Sequence, residues 1–249
     1  MANLSFVGHH LGLPDLDTGP WREQLRLSSH ELTGNRVHPM VIRLGGVAVD
    51  ADQQWCASER RLAASCRDIG RRISDAAADA GLGVGIAPVS ADVVAAHGLT
   101  GPIARASGAS GADLRTVGPH AWPVPLPPVD APAGGDAAAR LLWLAAEIEQ
   151  SAALIETLLT ELPAGPLQVR LPQVVKLPEG DAQHAVEAPL GHAGMFVVSR
   201  GEKTPWRLAL RTPSFANASA LETVLPGCRI TDLPVALASL PWVPGDLDK

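Results

Sequence analysis

Apolar residues recur at helical spacing through the first two thirds of the chain and at strand spacing after it. The clearest stripe runs from about Asp136 to Leu162 and ends before Pro163, as expected for a long amphipathic helix. Similar stripes predict three earlier helices. These helices span 18–33, Ser58 to Gly81 and Ser90 to His97. Thr18 precedes the first of them and is a residue type that caps helices.

The last third contains short runs that are rich in β-branched residues, and these predict strands over 168–177, 194–200 and 206–212. The last two runs flank Gly201 to Thr204, which suits a hairpin turn. Ser214 can cap a helix over 215–225, and a final helix from Arg229 to Leu240 is expected to bend at Pro234. The pattern therefore predicts a mainly α fold with a small antiparallel β hairpin.

A proline-rich stretch over 119–133 interrupts the helices. Proline lacks a backbone donor and breaks regular structure, so this segment is predicted to be an extended connector. The helices on either side of it can still pack together, and no other point in the chain marks a firm boundary. We therefore expect a single domain over 1–249.

Composition narrows the possible functions. The 20 basic and 26 acidic side chains give a net charge of -6, which disfavours binding to nucleic acid or to an anionic membrane. Cys56, Cys66 and Cys228 lie far apart, without the spacing of a metal site, so a protein-held iron–sulfur cluster or structural zinc is not expected. No signal-peptide pattern or long apolar run is present, which predicts a cytoplasmic chain that reaches a membrane only through partners.

Four blocks of sequence resemble one family. The first holds an Arg-x-His and an Arg-x-Gly-Gly-Val, the second an Arg-x-Ser-Gly and an Asp-Leu-Arg, and the third opens with Gly-Asp and stops at Leu-Pro-x-Gly. The fourth opens with Glu-x-Pro-x-Gly and ends with Gly-Asp-x-Asp-Lys. The blocks span 33–50, 100–120, 134–169 and 187–249. In this order they resemble the D-type subunit of respiratory complex I, NADH-quinone oxidoreductase, which is related to the large subunit of NiFe hydrogenases.

The resemblance implies a helical bundle of hydrogenase large-subunit type, docked on a B-type iron–sulfur protein with which it forms a quinone chamber. It implies quinone and a partner-held iron–sulfur cluster, but no cofactor or metal bound by this chain. The terminal Cys-x-x-Cys motif of the hydrogenases is replaced here by the sequence LPWVPGD over 240–246. The family's amino-terminal sheet, with its quinone-binding His and Tyr, precedes Met1, so the chain is expected to be an N-terminally incomplete domain.

His38 and Arg36 match the family's Arg-x-His motif. The resemblance implies that this histidine lies near the partner's terminal cluster, where an imidazole can take up a proton as the cluster is reduced. The alternative is a histidine that only orders the turn after a helix. Both interpretations stay open.

Further candidates for the quinone cavity or the docking surface come from the second and fourth blocks. Arg105, Asp113 and Arg115 lie on a glycine-rich loop, where guanidinium–carboxylate pairs can hold the backbone rigid. Glu187 opens the fourth block and Asp248 lies at its end, where the family's terminus turns toward the cavity. The family usually has a basic residue and a second acid at positions that are Leu190 and His192 here. These two departures put an intact redox pocket in doubt.

Two functions follow from the resemblance. The first is a subunit of a complex I-like or membrane-bound hydrogenase-like oxidoreductase, which passes electrons from a partner's iron–sulfur cluster to quinone and lies on the cytoplasmic side of the membrane. NADH would bind a distant subunit. The alternative is a degenerate scaffold that keeps the docking surface but is catalytically silent. An independent hydrolase is not supported, because the chain has no Gly-x-Ser-x-Gly elbow.

Overall fold

The computed structural model describes residues 1–109, 113–116 and 124–248. The helices are α1 (Ala2–Leu11), α2 (Gly19–Thr33), α3 (Gln53–Asp79), α4 (Ala91–His97), α5 (Pro102–Ala106), α6 (Ala137–Thr160), α7 (Pro213–Ser219), α8 (Leu221–Val224) and α9 (Leu233–Ser239). The strands are β1 (Ile42–Arg43), β2 (Gly46–Val47), β3 (Gly180–Ala188), β4 (Gly191–Ser199) and β5 (Arg207–Arg211). The predicted mainly α fold with a small antiparallel sheet is confirmed.

Helices α3 and α6 form the centre of the bundle. Ile69 and Ile73 of α3 share a buried apolar cluster with Leu141 of α6. The helices approach closely at Gly70, where an added Cβ would lie 2.9 Å from Cγ of Glu149 and meet the backbone of α6. Helices α1, α2 and α9 pack around this pair, which buries the apolar stripe of each long helix.

Acidic caps define where both long helices begin. The Asp136 carboxylate accepts a hydrogen bond from the backbone N–H of Ala139, as the sequence pattern indicates for α6. Helix α3 begins earlier than predicted, because Asp52 accepts from the N–H of Trp55 and caps a helix that starts at Gln53, not at Ser58. An Asp at this position satisfies an otherwise free donor of the first turn.

Strands β3, β4 and β5 form one antiparallel sheet in that order. The predicted hairpin between β4 and β5 is confirmed, and its register pairs Met195 with Leu210. The prediction missed β3, which pairs with β4 along its whole length. The strand predicted over 168–177 is wrong, since only a single bridge between Gln168 and Gly46 forms there. Pro172 within this run, and Pro178 just after it, lack the backbone N–H that a ladder needs.

Two predicted caps are also wrong. The hydroxyl of Thr18 donates to the backbone oxygen of Met1, and no side-chain cap forms on α2. Ser214 lies inside α7 and its hydroxyl donates to the carboxylate of Asp246 at 2.5 Å, so it connects α7 to the C-terminal segment. Pro234 stands in the first turn of α9 and does not bend a longer helix, because the first turn needs no proline N–H.

Part of the predicted connector packs along α6. The indole N–H of Trp143 donates to the oxygen of Pro132 at 2.8 Å, and the amide of Gln150 donates to the oxygen of Pro127 at 2.6 Å. Residues 119–123 of the connector lie outside the described residues. Within 124–133 the chain has no helix or strand, as predicted. Among the helices built from described residues, none combines the length and apolarity that crossing a bilayer requires.

Candidate functional site

A cluster of charged side chains joins the sheet to the bundle. Arg105 lies on the short helix α5, Glu147 projects from the middle of α6, and Glu187 lies near the end of β3. Asp113 and Arg115 come from the four described residues between α5 and the connector. Four separate segments therefore meet at this point.

Arg105 is the centre of the cluster. Its Nη1 lies 2.9 Å from Oε1 of Glu187 and 3.6 Å from Oδ2 of Asp113, while its Nη2 donates to Oε1 of Glu147. Arg115 holds Asp113 through two nitrogens, with Nη2 2.6 Å from Oδ2. The guanidinium of Arg105 also lies 5.8 Å from the ring centre of Trp143. One arginine thus binds three carboxylates from three segments.

Close backbone packing places Arg105 beside the sheet. Gly101, just before α5, has φ +71, and an added Cβ would lie 2.5 Å from the backbone oxygen of Leu190. The hydroxyl of Thr100 accepts from the backbone N–H of His192 at 2.9 Å. Only glycine combines this left-handed backbone with so close an approach, so the start of α5 is fixed against the β3–β4 turn.

Burial and pairing set the charges of the cluster. Burial raises the pKa of Glu147, although Arg105 opposes it. Burial by itself would lower the pKa of Arg105, but Glu147 and Glu187 outweigh it and raise that pKa. Burial by itself would raise the pKa of Asp113. Hydrogen bonds from Arg115 outweigh burial, so the pKa of Asp113 lies below its usual value. The site therefore makes the Glu147 carboxyl easier to protonate than a carboxyl in water.

His192 contacts this cluster from β4. Its Nε2 lies 3.0 Å from Oε2 of Glu187, the residue that faces it across the β3–β4 pair. The Glu187 side chain is only 2% exposed, so its two oxygens are held by Arg105 on one side and His192 on the other. The histidine that departs from the family pattern therefore supports Glu187 directly.

An apolar cavity of about 260 Å³ adjoins the cluster between α3 and α6. Its apolar wall includes Ala63, Leu144, Ile148 and Ile155, and the β3–β4 turn contributes Leu190. Cavities with mostly apolar walls and a few polar groups are the usual sites for small organic ligands. Such a cavity favours an uncharged ligand with an apolar body.

Five polar side chains also line this cavity. These are Asn3, Glu59, Cys66, Glu147 and Ser151. The Ser28 hydroxyl donates a hydrogen bond to Oε2 of Glu59, which is itself buried. Burial, followed by the nearby Glu59, raises the pKa of the Cys66 thiol to about 11. Glu147 is the side chain that belongs both to the cavity wall and to the ion cluster.

The structure brings together four of the predicted site residues and leaves three apart from the cluster. Arg105, Asp113, Arg115 and Glu187 meet around the Arg105 guanidinium. His38 and Arg36 lie on an exposed loop before β1, where Arg36 pairs with Glu23 of α2 and the His38 N–H donates to Oδ1 of Asn35 at 2.8 Å. Asp248 is exposed after the last helical turn.

Sequence reasoning missed Glu147. Its position next to Leu144 and Ile148 of the apolar stripe was the available signal, because a charge beside a buried stripe requires a partner. That partner, Arg105, is 42 residues away in sequence, and spacing alone cannot reveal such a pair. No group of three or more metal-ligating side chains suited to an ion occurs among the described residues.

Two long packed helices, with a small antiparallel sheet joined to them by a buried ion cluster beside an apolar cavity, define a mainly helical protein. Residues 19–178 and 169–249 match the family described as the 49 Kd subunit of respiratory-chain NADH dehydrogenase, and the chain belongs to this family.

Curated relatives extend the match over most of the chain. It is 40% identical over 235 residues to the second D-type subunit of the NADH-quinone oxidoreductase of Salinispora arenicola. This alignment covers 92% of this chain and 61% of the relative. It is 37% identical over 243 residues to the first D-type subunit of the Streptomyces coelicolor enzyme, and this alignment covers 92% of this chain and 62% of the relative. The chain thus spans about 60% of the length of the curated relatives it matches.

A solved structure confirms the fold. The chain superimposes with a TM-score of 0.86 on a chain of the membrane-bound sulfane sulfur reductase, an archaeal respiratory membrane complex. The match is 30% identical in sequence and covers 99% of this chain and 70% of that chain.

Proposed function

We propose that this chain is a subunit of a complex I-like or membrane-bound hydrogenase-like oxidoreductase and takes part in electron transfer from a partner's iron–sulfur cluster to quinone. The observation that carries the proposal is the match to a D-type subunit over 92% of the chain, together with a TM-score of 0.86 against a chain of a respiratory membrane complex. Catalysis belongs to the assembled complex, because the electrons arrive through a cofactor held by another chain.

The cavity beside the ion cluster suits a small neutral ring, and the quinone chamber that the family resemblance implies would be formed together with the iron–sulfur partner. A quinone head group is a neutral ring with two carbonyl acceptors, which suits an apolar wall with a few polar side chains. An apolar cavity of about 150 Å³ is enough to hold benzene, so 260 Å³ has room for one substituted ring.

An exposed apolar arm supports docking to a B-type iron–sulfur protein. The arm is the loop and hairpin over 36–47, in which Met40 and Leu44 are both 74% exposed and Ile42 is 89% exposed. It also carries Arg36, His38 and Arg43 but no acidic residue. Exposed apolar residues in one contiguous segment commonly mark an interface. We propose that His38, which is predicted to face the partner's cluster, is part of this docking surface.

A degenerate, catalytically silent scaffold is the second candidate. The observation in its favour is that Leu190 and His192 stand at positions where the family usually has charged groups. Leu190 borders the cavity, where it removes a charge that a basic residue would bring. Under either function, the chain would lie at the inner face of the cell membrane through its partners.

The decisive experiment is affinity purification of the tagged chain from its native host in mild detergent. We expect an iron–sulfur protein and membrane-embedded proteins to co-purify, with bound iron and quinone reductase activity. Ile42→Asp should release the iron–sulfur protein by placing a charge in the arm. Val84→Asp is the matched control, because Val84 is 69% exposed but lies outside the arm.

Each outcome points to one conclusion. Recovery of the complex with iron but without quinone reduction would favour the silent scaffold. Recovery of the chain alone, without iron, would contradict membership of an electron-transfer complex. Equal retention of the partner by the Ile42 and Val84 variants would contradict the arm as the docking surface.

A further inference from the structure

We propose that the segment 167–176 joins the exposed arm over 36–47 in one docking surface, and that the iron–sulfur partner covers it with a surface that is apolar at its centre and acidic around it. This rests on the proposed function, because that function supplies the partner. It adds a second segment to the arm and states the chemistry of what covers both. Three features carry it: the contacts between the two segments, their exposed apolar side chains and their charge.

Backbone hydrogen bonds join the two segments. The N–H of Val47 donates to the oxygen of Leu167 at 3.0 Å, and the N–H of Val169 donates to the oxygen of Gly45 at 2.9 Å. The side-chain amide of Gln168 also donates to the backbone oxygen of Val47 at 2.6 Å. Residues 167–169 therefore lie alongside the β1–β2 hairpin of the arm and are fixed to it.

Side chains of the second segment pack on the turn of this hairpin. An added Cβ at Gly45 would lie 3.1 Å from Cγ2 of Val169 and 3.2 Å from Cδ1 of Leu171. Because the two segments are fixed to each other, a partner that binds them has less chain to order than a partner that binds a free loop. The docking surface is thus already formed before the partner binds.

Apolar side chains of the second segment are exposed, as those of the arm are. Val169 is 64% exposed, and Leu167, Leu171, Val174 and Val175 are between 36% and 45% exposed. They extend the apolar surface of the arm beyond its hairpin. Burial of apolar area is the main favourable contribution to most protein association, so an apolar partner surface stabilises the complex when it covers these side chains.

Charge is the feature that selects the partner. The two segments hold four of the 20 basic side chains of the chain and none of its 26 acidic ones. Arg36 pairs with Glu23 of α2. Arg43, Arg170 and Lys176 are exposed, and none of them forms an ion pair among the residues that the structure describes. Acidic side chains around the apolar centre of the partner surface would complement them.

Two other occupants fit this charge less well. An anionic membrane would attract the four basic side chains, but it would repel the rest of the chain, which holds all 26 acidic ones. A second copy related by a two-fold axis would bring the basic side chains of one chain against those of the other. Like charges across an interface oppose binding. An acidic and apolar protein surface meets neither obstacle.

The first test identifies the occupant directly. A photoreactive amino acid is placed at Val169 of the tagged chain, and the complex is cross-linked after purification from its native host in mild detergent. We expect a cross-link to the iron–sulfur protein, on a peptide that contains Asp or Glu beside apolar residues. Val84 is the matched control position, because it is 69% exposed but lies outside both segments, and it should give no cross-link to that protein.

The outcomes of this test separate the proposed function from the docking surface. If no iron–sulfur protein co-purifies, the proposed function fails and the docking surface fails with it. If that protein co-purifies but Val169 cross-links to a second copy, to lipid, to a different protein or to nothing, only the extended docking surface is overturned. A cross-link to a basic peptide of the iron–sulfur protein would overturn the charge complementarity.

The second test measures how firmly the partner is held. Val169→Asp should lower the iron retained by the tagged chain at least roughly tenfold, because it places a negative charge against an apolar and acidic surface. Val84→Asp should retain as much iron as the wild type. Release of the partner by Ile42→Asp together with full retention by Val169→Asp would restrict docking to the arm and overturn the proposal.

The third test addresses the charges. Salt screens exposed charges, so we expect the wild-type complex to release its iron–sulfur protein as the salt concentration rises. Arg170→Glu should lower the salt concentration that releases half of this protein by about twofold or more. Arg207→Glu is the matched control, because Arg207 is also exposed in an extended segment but lies on β5. Equal salt dependence of the Arg170 and Arg207 variants would contradict an acidic partner surface.

Discussion

Arg105 and Arg140 are two buried arginines whose partners differ. Arg105 binds three carboxylates where α5, α6 and the sheet meet. Arg140, one turn into α6, is fully buried, and its guanidinium donates to the hydroxyl of Ser239 and, at 2.6 Å, to the backbone oxygen of Gly135. Among the described residues, Arg140 forms no ion pair.

The two arginines show separately how burial and pairing with carboxylates change the pKa of a guanidinium. Burial lowers the pKa of Arg140 to about 10, and the nearby Asp136 carboxylate opposes this shift without reversing it. Burial acts on Arg105 in the same direction, yet its carboxylates reverse the effect. Neutral acceptors thus position a guanidinium without offsetting the cost of its charge, whereas carboxylates do both. Arg140 connects α6 to α9, and Arg105 controls the charge of neighbouring acids.

The largest effect should come from Arg105→Met. This change leaves Glu147, Glu187 and Asp113 without their common cation, and removal of one partner from a buried ion cluster typically costs about 3–5 kcal/mol of unfolding free energy. The loss should shrink at mildly acidic pH, as the carboxylates take up protons. Urea unfolding at two pH values measures both effects.

The control for this prediction is Arg71→Met, which breaks a pair with Glu149 that has a 3.7 Å separation and a 61% exposed arginine. An exposed pair of this kind contributes about 0–1 kcal/mol. Equal losses of unfolding free energy for the Arg71 and Arg105 variants would show that the buried cluster stabilises the fold no more than an exposed ion pair does.

Arg140→Met should cost less, about 1–2 kcal/mol, from its lost hydrogen bonds. The partners it leaves stay satisfied, because Gly135 also accepts from the N–H of Val89 and Ser239 donates to the oxygen of Ala236. The loss should not depend on pH near neutrality, since no carboxylate is left unpaired. Urea unfolding gives the comparison, and a loss larger than that of Arg105→Met would reverse the interpretation of the two sites.

The smallest effect concerns the pH dependence of stability. The folded state raises the pKa of Glu147 above its usual 4.5, so the folded protein holds this proton more tightly than the unfolded chain. Its stabilising contribution is therefore complete below pH 4.5 and is lost as pH rises through the folded pKa. Glu147→Gln should flatten this decline in the unfolding free energy, measured by urea unfolding across the acidic to neutral range.

Asp113 provides a comparison for this pH prediction, because the fold lowers its pKa. Its contribution has the opposite sign and is lost as pH falls through the folded pKa. Asp113→Asn should therefore reduce the loss of stability at acidic pH and leave the Glu147 decline in place. A Glu147→Gln variant with an unchanged pH profile would argue against a raised pKa of Glu147 in the folded protein.

The sequence alone determined the long elements and the family. The apolar stripe of α6 and its Asp136 cap, the β4–β5 hairpin and the helix after Ser90 follow from local periodicity and turn chemistry, which neighbouring residues specify. The motif order over 33–249 likewise pointed to the family that the comparisons show. These features need no knowledge of which segments meet.

Only the tertiary structure decided the site. Arg105 is 42 residues from Glu147 and 82 from Glu187, and no local rule indicates that they share a charge cluster. The same holds for β3, whose run over 180–188 carries no strong strand pattern and forms only because β4 offers it a full ladder. Ion pairs and strand partners between distant segments depend on how helices and sheet pack, because the energy that fixes them comes from burial that no single segment achieves by itself.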